Sequence, residues 1–464
     1  MAPKVGIVGG GIAGLAAAFY MQRSHADVSV TLLESSKKLG GAVGTIVRDG
    51  FLVENSGDMF VTDPNDAVTL CKDLGIEDQL IETNREDRFS SILRQKNLIQ
   101  IPSGFSLMMP NQLRSVLRSP LLDVTGKLRF MCDYFVRPNS MEADESLSSF
   151  AIRHYGRQAF ERIIQPLVAG IYSAKAEELS VHATMQRFVQ MEREYGSLIK
   201  AARVNRKNSQ REESSGARYG MFVAPKNGMQ SLVDAVSTKI DNVDVRLATP
   251  VERVTFDGKA WRVNDSMSFD SMIFTANARV AAKTIDLDPS LLNLLRSISF
   301  GSLIVIAITC SLKSFPKGKP KGFGFVVPEI ENRELIACSY ASNKFAGRAL
   351  KGSMVLRCFV GGRNVERWRE SSDNELIEMV HRELGELIGY SHTKSDQFDV
   401  FRWMDCMPQY RVGHLELVKA IKESVHNYPG LSLAGCSYDG VGIPACIASG
   451  KRAAKDTANF LADR

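Results

Sequence analysis

Hydrophobic and polar positions along this chain follow two periods, and the switches between them mark its elements. Lys4 to Val8 is a short β-run that enters Gly9-Gly10-Gly11-Ile12-Ala13-Gly14 and then a helical stretch, Leu15 to Arg23. A second β-run, Val28 to Leu33, ends at Glu34. Thr62 to Ile81 reads as a helical run in which Asp-Leu-Gly at 73–75 supplies a glycine cap. Further on, an amphipathic helix from Gly228 to Ile240 leads to a strand over Val243–Leu247, and Val251–Val254 and Trp261–Val263 are short β-runs. Residues 300–360 alternate as an antiparallel sheet, with Leu303–Cys310 apolar throughout, as in a strand buried on both faces. The chain closes with a strand, Leu431–Ala434, a glycine-rich junction and a helix from Ala445 to Leu461.

Two stretches do not fit a single period. Residues 103–140 mix apolar and basic positions, among them Phe105, Met108, Met109, Arg114, Arg118, Leu121, Lys127 and Phe130. A membrane-surface helix pair and a helical hairpin of the protein's own surface are equally good readings. Arg203 to Arg218 is polar without an apolar period and is expected to be a surface loop.

Composition narrows the classes. In 464 residues, 58 basic against 52 acidic side chains leave a net charge of +6, with 44% apolar residues, as in an ordinary globular protein of two or three domains. That charge suits an anionic small substrate or membrane surface and is too weak to argue nucleic acid. Eight cysteines without a CxxC read as reduced thiols, and seven histidines without an HxxxH pair argue against a structural zinc site. Val5 to Met21 is free of charge for 17 residues, but five are glycine, so it is too short and too glycine-rich to span a bilayer. Neither a transmembrane helix nor a targeting extension before the first strand is expected.

Candidate chemistry lies at the start. Strand, Gly9-x-Gly11-x-x-Gly14, helix, strand and Glu34 form the dinucleotide-binding succession. The glycines give a tight turn, a backbone bare enough for a pyrophosphate, and close helix–strand packing, while the acid twenty residues past Gly14 binds ribose hydroxyls. An acid at this point argues against a 2′-phosphate. Lys38-Leu39-Gly40-Gly41-Ala42-Val43-Gly44-Thr45 resembles the second glycine motif of FAD enzymes of the amine-oxidase type, with Ala42 where that group usually has arginine. This favours FAD over NAD.

The middle of the chain carries a more specific likeness. Gln165-Pro166-Leu-Val-Ala169-Gly170-Ile171-Tyr172 with Glu178-Leu179-Ser180 resembles a signature stretch of oxygen-dependent protoporphyrinogen oxidases. So do Gly322 to Pro328, Cys338-Ser339-Tyr340, Phe345 to Ala349, Arg357 to Gly362, Arg402-Trp403, Met407 to Tyr410, Gly413-His414 and Gly435 to Pro444. The series is in order from residue 4 to about 461. It departs from the family at Ser56-Gly57-Asp58-Met59 and at Cys436.

The resemblance implies an α/β chain with a Rossmann-like FAD-binding domain (1–85, 220–295 and 415–464). An α+β substrate domain with an antiparallel sheet (86–102 and 296–414) and a helical, membrane-facing subdomain (103–219) complete it. Non-covalent FAD would touch Gly9, Gly10, Gly11, Ile12, Ala13, Gly14, Glu34, Ser35, Gly41, Ala42, Ser56, Gly57, Asp58, Met59, Val251, Trp403, Gly435, Val441, Gly442 and Ile443. Ala169 and Gly170 would present backbone to the substrate, Val326 and Phe359 would sandwich pyrrole rings, and Arg88, with Arg94 as runner-up, would bind a propionate. The implied reaction is a six-electron oxidation of a tetrapyrrole, with O₂ reoxidising the flavin to give hydrogen peroxide, in heme biosynthesis. Protoporphyrinogen IX comes first as substrate and coproporphyrinogen III close behind. A flavin amine oxidase, a carotene desaturase, a non-catalytic porphyrin carrier and an NAD-linked reductase are the other readings. The family implies a cytoplasmic protein and is compatible with peripheral contact at the inner face of the cell membrane, a homodimer and hand-over to the next enzyme of the pathway.

Overall fold

A computed structural model describes residues 2–24, 27–136, 143–172, 174–208 and 221–463. Its first layer is a five-stranded parallel sheet ordered Val243–Arg246, Ser29–Leu33, Lys4–Val8, Ser271–Phe274, Leu431–Leu433. Strands so far apart in sequence meet here because each is an apolar run that must be covered on both faces. Val5, Ile7, Leu32 and Ile273 are fully buried. The helices Ile12–Ser24 and Ile443–Ala462 cover one face together. Their axes approach closely because the contact is made of small residues. Ala16, Ala17 and Ala18 are fully buried, and a Cβ on Gly450 would stand 2.2 Å from the Ala13 carbonyl oxygen.

The second layer is a seven-stranded sheet ordered Gln397–Pro408, Phe300–Ser311, Ser353–Gly361, Ala337–Tyr340, Gly324–Val326, Ser91–Arg94, Asn97–Gln100. All its pairings are antiparallel except that between Gly324–Val326 and Ser91–Arg94. Side chains alternate across it. Ile304, Ile306, Ile308, Met354, Leu356 and Cys358 pack with Leu376, Met379, Val380 and Leu384 of the helix Asp373–Ile388. Val305, Ala307, Val355, Arg357 and Phe359 therefore face the opposite side, toward the glycine-rich layer, where Ala307 and Val355 meet Val53.

Between 105 and 208 the chain forms a helical body. The mixed stretch is no simple helix pair: a two-stranded ribbon, Phe105–Ser106 with Met109–Pro110, precedes the helices Leu113–Arg118 and Val124–Met131. Most of its apolar residues enter the core of this body. Val124, Leu128 and Phe135 stay exposed. The expected loop from 203 is helical as far as 208, within Leu198–Asn208, and 209–218 lie outside the described residues. The expected helix 62–81 is shorter, Asp66–Leu74, because Gly75 takes a left-handed conformation and caps it; Leu80–Glu82 is a strand. The β-run expected at 251–254 begins only at Val254. No helix among the described residues is long and apolar enough to cross a membrane.

A buried ion network knits the helical body. His154 Nδ1 donates to Asp133 (2.5 Å) and its Nε2 lies 3.2 Å from Glu192, while Arg153 pairs with Glu192 and Glu145. Asp133 also accepts from the Ser197 hydroxyl (2.5 Å) and the Ile199 N–H (2.8 Å). Burial alone would lower the His154 pKa, but bonds to the two carboxylates outweigh it and raise the pKa. A raised histidine pKa contributes stability that is complete below the unfolded value, about 6.5, and is lost as pH rises through the folded value. A His154→Gln variant should therefore melt below the native protein at pH 6, by the equivalent of about 3 kcal/mol for a broken buried pair. The gap should narrow as pH rises above 7; thermal melts across that range measure it.

Candidate functional site

The first helix begins just past the C-terminal end of Lys4–Val8, the central strand of the parallel sheet, and its unpaired N-terminal amides open onto the turn Gly9–Gly11. Gly10 N–H donates 2.6 Å to Glu34, whose other oxygen accepts from Ser36 N–H (2.7 Å) and lies 3.3 Å from the Ser35 hydroxyl. Glu34 is thus held at the end of its strand beside the turn. The chain that follows bends back: Gly40 N–H donates to Gly10 O (2.8 Å), and Gly11 and Gly40 form a parallel bridge. Ala248 and Thr249 N–H bond to Ser36 O and Glu34 O (2.8 Å each), which brings Val251 near the Glu34 end.

Two further segments close over this turn. The Ser56 hydroxyl donates to Ala42 O, and a Cβ on Gly57 would lie 3.8 Å from Ile443. Gly435 backs onto the first helix, its Cβ position 4.0 Å from the Ala13 methyl. Gly442 is the N-cap of the last helix. The structure therefore brings Gly9–Gly14, Glu34–Ser35, Gly41–Ala42, Ser56–Met59, Gly435 and Val441–Ile443 into one continuous cradle. Trp403 joins from the antiparallel sheet by donating its indole N–H to Asn55 O (2.8 Å).

Beneath Ser56–Met59 lies a buried set of charges. Asp58 Oδ2 accepts from Lys344 Nζ (2.9 Å) and lies 3.2 Å from an Arg357 nitrogen. Arg357 also donates to Ser56 O. Asp58 is 7% exposed, Lys344 6% and Arg357 2%. Burial works against the Asp58 charge, but the two cations outweigh it and bring its pKa down to about 2. Next to it Arg348 donates to Pro225 O (2.9 Å) and Lys226 O (2.8 Å) and stands 4.0 Å from Glu54. Burial raises the Glu54 pKa although the Thr45 hydroxyl and Met229 N–H bond to it.

Of the expected substrate residues, Val326 and Phe359 occupy the face of the antiparallel sheet that carries Arg357. Val326 pairs with Ala337, and Ala337 with Phe359. Val326 and Phe359 thus stand in one row, roughly 10 Å apart at two strand spacings, with only a methyl between them. Arg357 lies over the Phe359 ring at 5.2 Å. Gly170 is exposed, with nothing within 4 Å of its Cβ position, on the helix Gln165–Tyr172; Gln165 of that helix accepts from Glu329 N–H (3.2 Å). Ala169 is buried. Arg88 spends Nε and one terminal nitrogen on Asn84 O (3.1 Å) and Thr83 O (2.7 Å), and Arg94 sits at the turn of an edge hairpin. Sequence reasoning did not single out Lys344, Arg348, Arg357 or Glu54 as a group. A basic residue inside the apolar run Met354–Val360 was the available signal. Nor did it bring together Arg114, Arg118 and Arg203, which it named in separate stretches and which with Ile101 and Pro102 line a cavity of about 920 Å³ at the far edge strand.

Among the described residues no group of histidines, cysteines and carboxylates could hold a metal. A flavin dinucleotide does fit. The Cβ position of Gly11 is open while that of Gly14 is 1.9 Å from Gly9 O, so the turn offers bare backbone where a diphosphate approaches. Asn55 Oδ1, Ser339 Oγ and Arg357 Nε are buried without a hydrogen-bond partner among the described residues, next to the cradle.

Comparison with known proteins agrees. Residues 12–458 match the model of the flavin containing amine oxidoreductases. The chain belongs to that family. It is 30% identical to the coproporphyrinogen III oxidase of Bacillus subtilis (strain 168), over 98% of either chain. It is 27% identical to chloroplastic protoporphyrinogen oxidase 1 of Arabidopsis thaliana, over 98% of this chain and 88% of that one. A crystal structure from Exiguobacterium sp. 255-15, provisionally assigned as a protoporphyrinogen oxidase, superposes with a TM-score of 0.87 at 28% identity, covering 100% of this chain and 99% of its own. The protein is a flavoprotein oxidoreductase with FAD as its cofactor, on a mixed fold of parallel and antiparallel sheets.

The geometry separates two roles within the glycine turn. A side chain at Gly14 would break the turn itself, whereas one at Gly11 meets only the space a diphosphate needs. Gly11→Val should keep the native melting behaviour of the apoprotein and lose FAD retention. Flavin absorbance after gel filtration, beside a circular-dichroism melt, reads both; a Gly11→Val protein that stays yellow contradicts the placement of the diphosphate.

Proposed function

We propose that the protein is an FAD-dependent porphyrinogen oxidase, with coproporphyrinogen III as its first substrate. The observation that carries this is the row Val326–Ala337–Phe359 on the face that also holds Arg357. Val326 and Phe359 stand roughly 10 Å apart on either side of the small Ala337, a spacing that admits a flat macrocycle between them, and the helix that carries the exposed Gly170 packs on the strand of Val326. FAD held by the Gly9–Gly14 turn, Glu34 and the Ser56–Met59 segment would supply the hydride-accepting chemistry, with O₂ as the final oxidant and hydrogen peroxide as its product. The chain's own residues orient the macrocycle: Phe359 and Val326 flank it, Gly170 leaves room for a close approach, and Arg88 is the proposed propionate partner. Formation of the conjugated ring drives the proton losses, so a dedicated strong base is not required of the side chains.

Coproporphyrinogen takes first place, ahead of the order that sequence reasoning alone suggested. The relative of that name in Bacillus subtilis aligns over nearly its whole length at the higher identity. Protoporphyrinogen IX is the second reading, supported by the Arabidopsis thaliana relative. The two differ in carrying four carboxylates against two.

Purified holoprotein supplied with either porphyrinogen, followed by oxygen electrode and porphyrin fluorescence, tests both readings. The expected result is peroxide formation with porphyrin fluorescence and a higher kcat/KM for coproporphyrinogen III. A higher value for protoporphyrinogen IX reverses the order. Turnover of neither, with amines oxidised instead, contradicts the proposal.

A further inference from the structure

The charges beneath Ser56–Met59 do not balance. Glu54 and Arg348 answer each other at 4.0 Å and are completed by Thr45, Met229, Pro225 and Lys226. That leaves one carboxylate, Asp58, facing two cations, Lys344 and Arg357, and all three are at least nine-tenths buried. A buried charge without a counter-charge costs several kcal/mol, so the excess positive charge calls for an anionic partner outside the protein chain. The buried Arg357 Nε and Ser339 Oγ, on residues directly opposite each other on neighbouring strands, have no partner among the described residues.

The cluster also lies at a defined end of the cradle. Glu34 marks the ribose end, at the turn of the first strand, whereas Asp58 touches the antiparallel sheet through Arg357 and the short helix Ala341–Lys344 beside it through Lys344, and Arg357 covers Phe359. A hydride donor resting on Phe359 would meet the cofactor at the Asp58 end. The part of FAD nearest these cations is then its ring system, which becomes electron-rich when it takes up a hydride.

We propose that Lys344 and Arg357, held by Asp58, are the fixed positive charge that stabilises the reduced form of the flavin and so raises its tendency to accept electrons. Lys344 is the residue that tips the balance: without it Asp58 and Arg357 cancel. Asp58 does the opposite, tempering the field while holding both cations in place. The inference rests on FAD binding and not on the identity of the substrate.

Two substitutions that break the same ion pair should therefore act in opposite directions. Lys344→Met removes a positive charge and should lower the flavin midpoint potential. It should also weaken the binding of sulfite, which adds to oxidised flavin as an anion, by at least about tenfold, the effect of one unit charge about 12 Å away at an effective dielectric constant of about 20. Asp58→Asn removes a negative charge and should raise the potential and tighten sulfite binding. Lys344→Arg, and the double variant Lys344→Met/Asp58→Asn, should stay near the native value. These are read by dye-equilibrated reduction and sulfite titration of the purified holoprotein, with no porphyrinogen present, so failure here is distinct from failure of the substrate assignment. A purely structural pair predicts shifts of the same sign, or none, in both single variants, and either result overturns the proposal. Should Lys344→Met fail to retain FAD, the double variant is compared with Asp58→Asn: adding the lysine change must lower the potential, and an unchanged value contradicts the proposal.

Discussion

A single buried carboxylate with two cations, Asp58 between Lys344 and Arg357, joins the two layers on which the site depends. Asp58 belongs to the segment that closes the glycine cradle; Arg357 belongs to the antiparallel sheet, and Lys344, 286 residues beyond Asp58, ends the short helix Ala341–Lys344 that follows the strand Ala337–Tyr340. Breaking such a buried pair on one side costs about 3–5 kcal/mol, because a desolvated charge is left behind. The sheet cannot drift relative to the cradle without exposing or separating these charges. Trp403, reaching Asn55 from the outer strand, fixes the same boundary at a second point. The distance between the apolar row Val326–Phe359 and the cofactor cradle is thereby set by electrostatics and hydrogen bonds, not by loops.

This arrangement fits a reaction in which the cofactor performs the redox chemistry and the protein supplies position and field. The row itself is apolar, and the charged residues stand at its Phe359 end, where Arg357 lies over the Phe359 ring and reaches Asp58. The helical body presses on the other end of the row, where Val326 packs against its core. Its internal network of His154, Asp133, Glu192 and Arg153 ties the helices Leu147–Tyr155 and Val181–Tyr195 to the turn Cys132–Phe135. Fold and site share one logic: charges are buried where segments distant in sequence have to be held together.

Much of the cradle was legible in the sequence because it is local. Gly9, Gly11, Gly14 and Glu34 follow one another within a strand–turn–helix–strand unit, and each has a meaning that spacing alone conveys. The strand Phe300–Ser311 was visible as the run Leu303–Cys310, and the antiparallel sheet expected over 300–360 was visible in its alternation. What stayed hidden is non-local. The glycine cap at 73–75 was legible and Gly75 does end the helix, whereas the strand Leu80–Glu82 beyond it was hidden in the apolar pattern. Residues 103–136 offered a mixed pattern because their apolar side chains enter a core made by helices that come later in the chain. Arg357 stood out only as a charge in an apolar strand, and nothing in its neighbourhood of sequence announces Asp58 or Lys344.

The central claim is that the sheet face carrying Phe359 delivers a porphyrinogen to FAD held in the cradle beside it. Anaerobic mixing of the oxidised holoprotein with limiting coproporphyrinogen III tests it most directly, since oxygen chemistry and later steps are removed. The account predicts bleaching of the flavin absorbance, with three flavin equivalents reduced for each porphyrin formed, as six electrons taken in pairs require. A flavin that stays oxidised with both coproporphyrinogen III and protoporphyrinogen IX would contradict it.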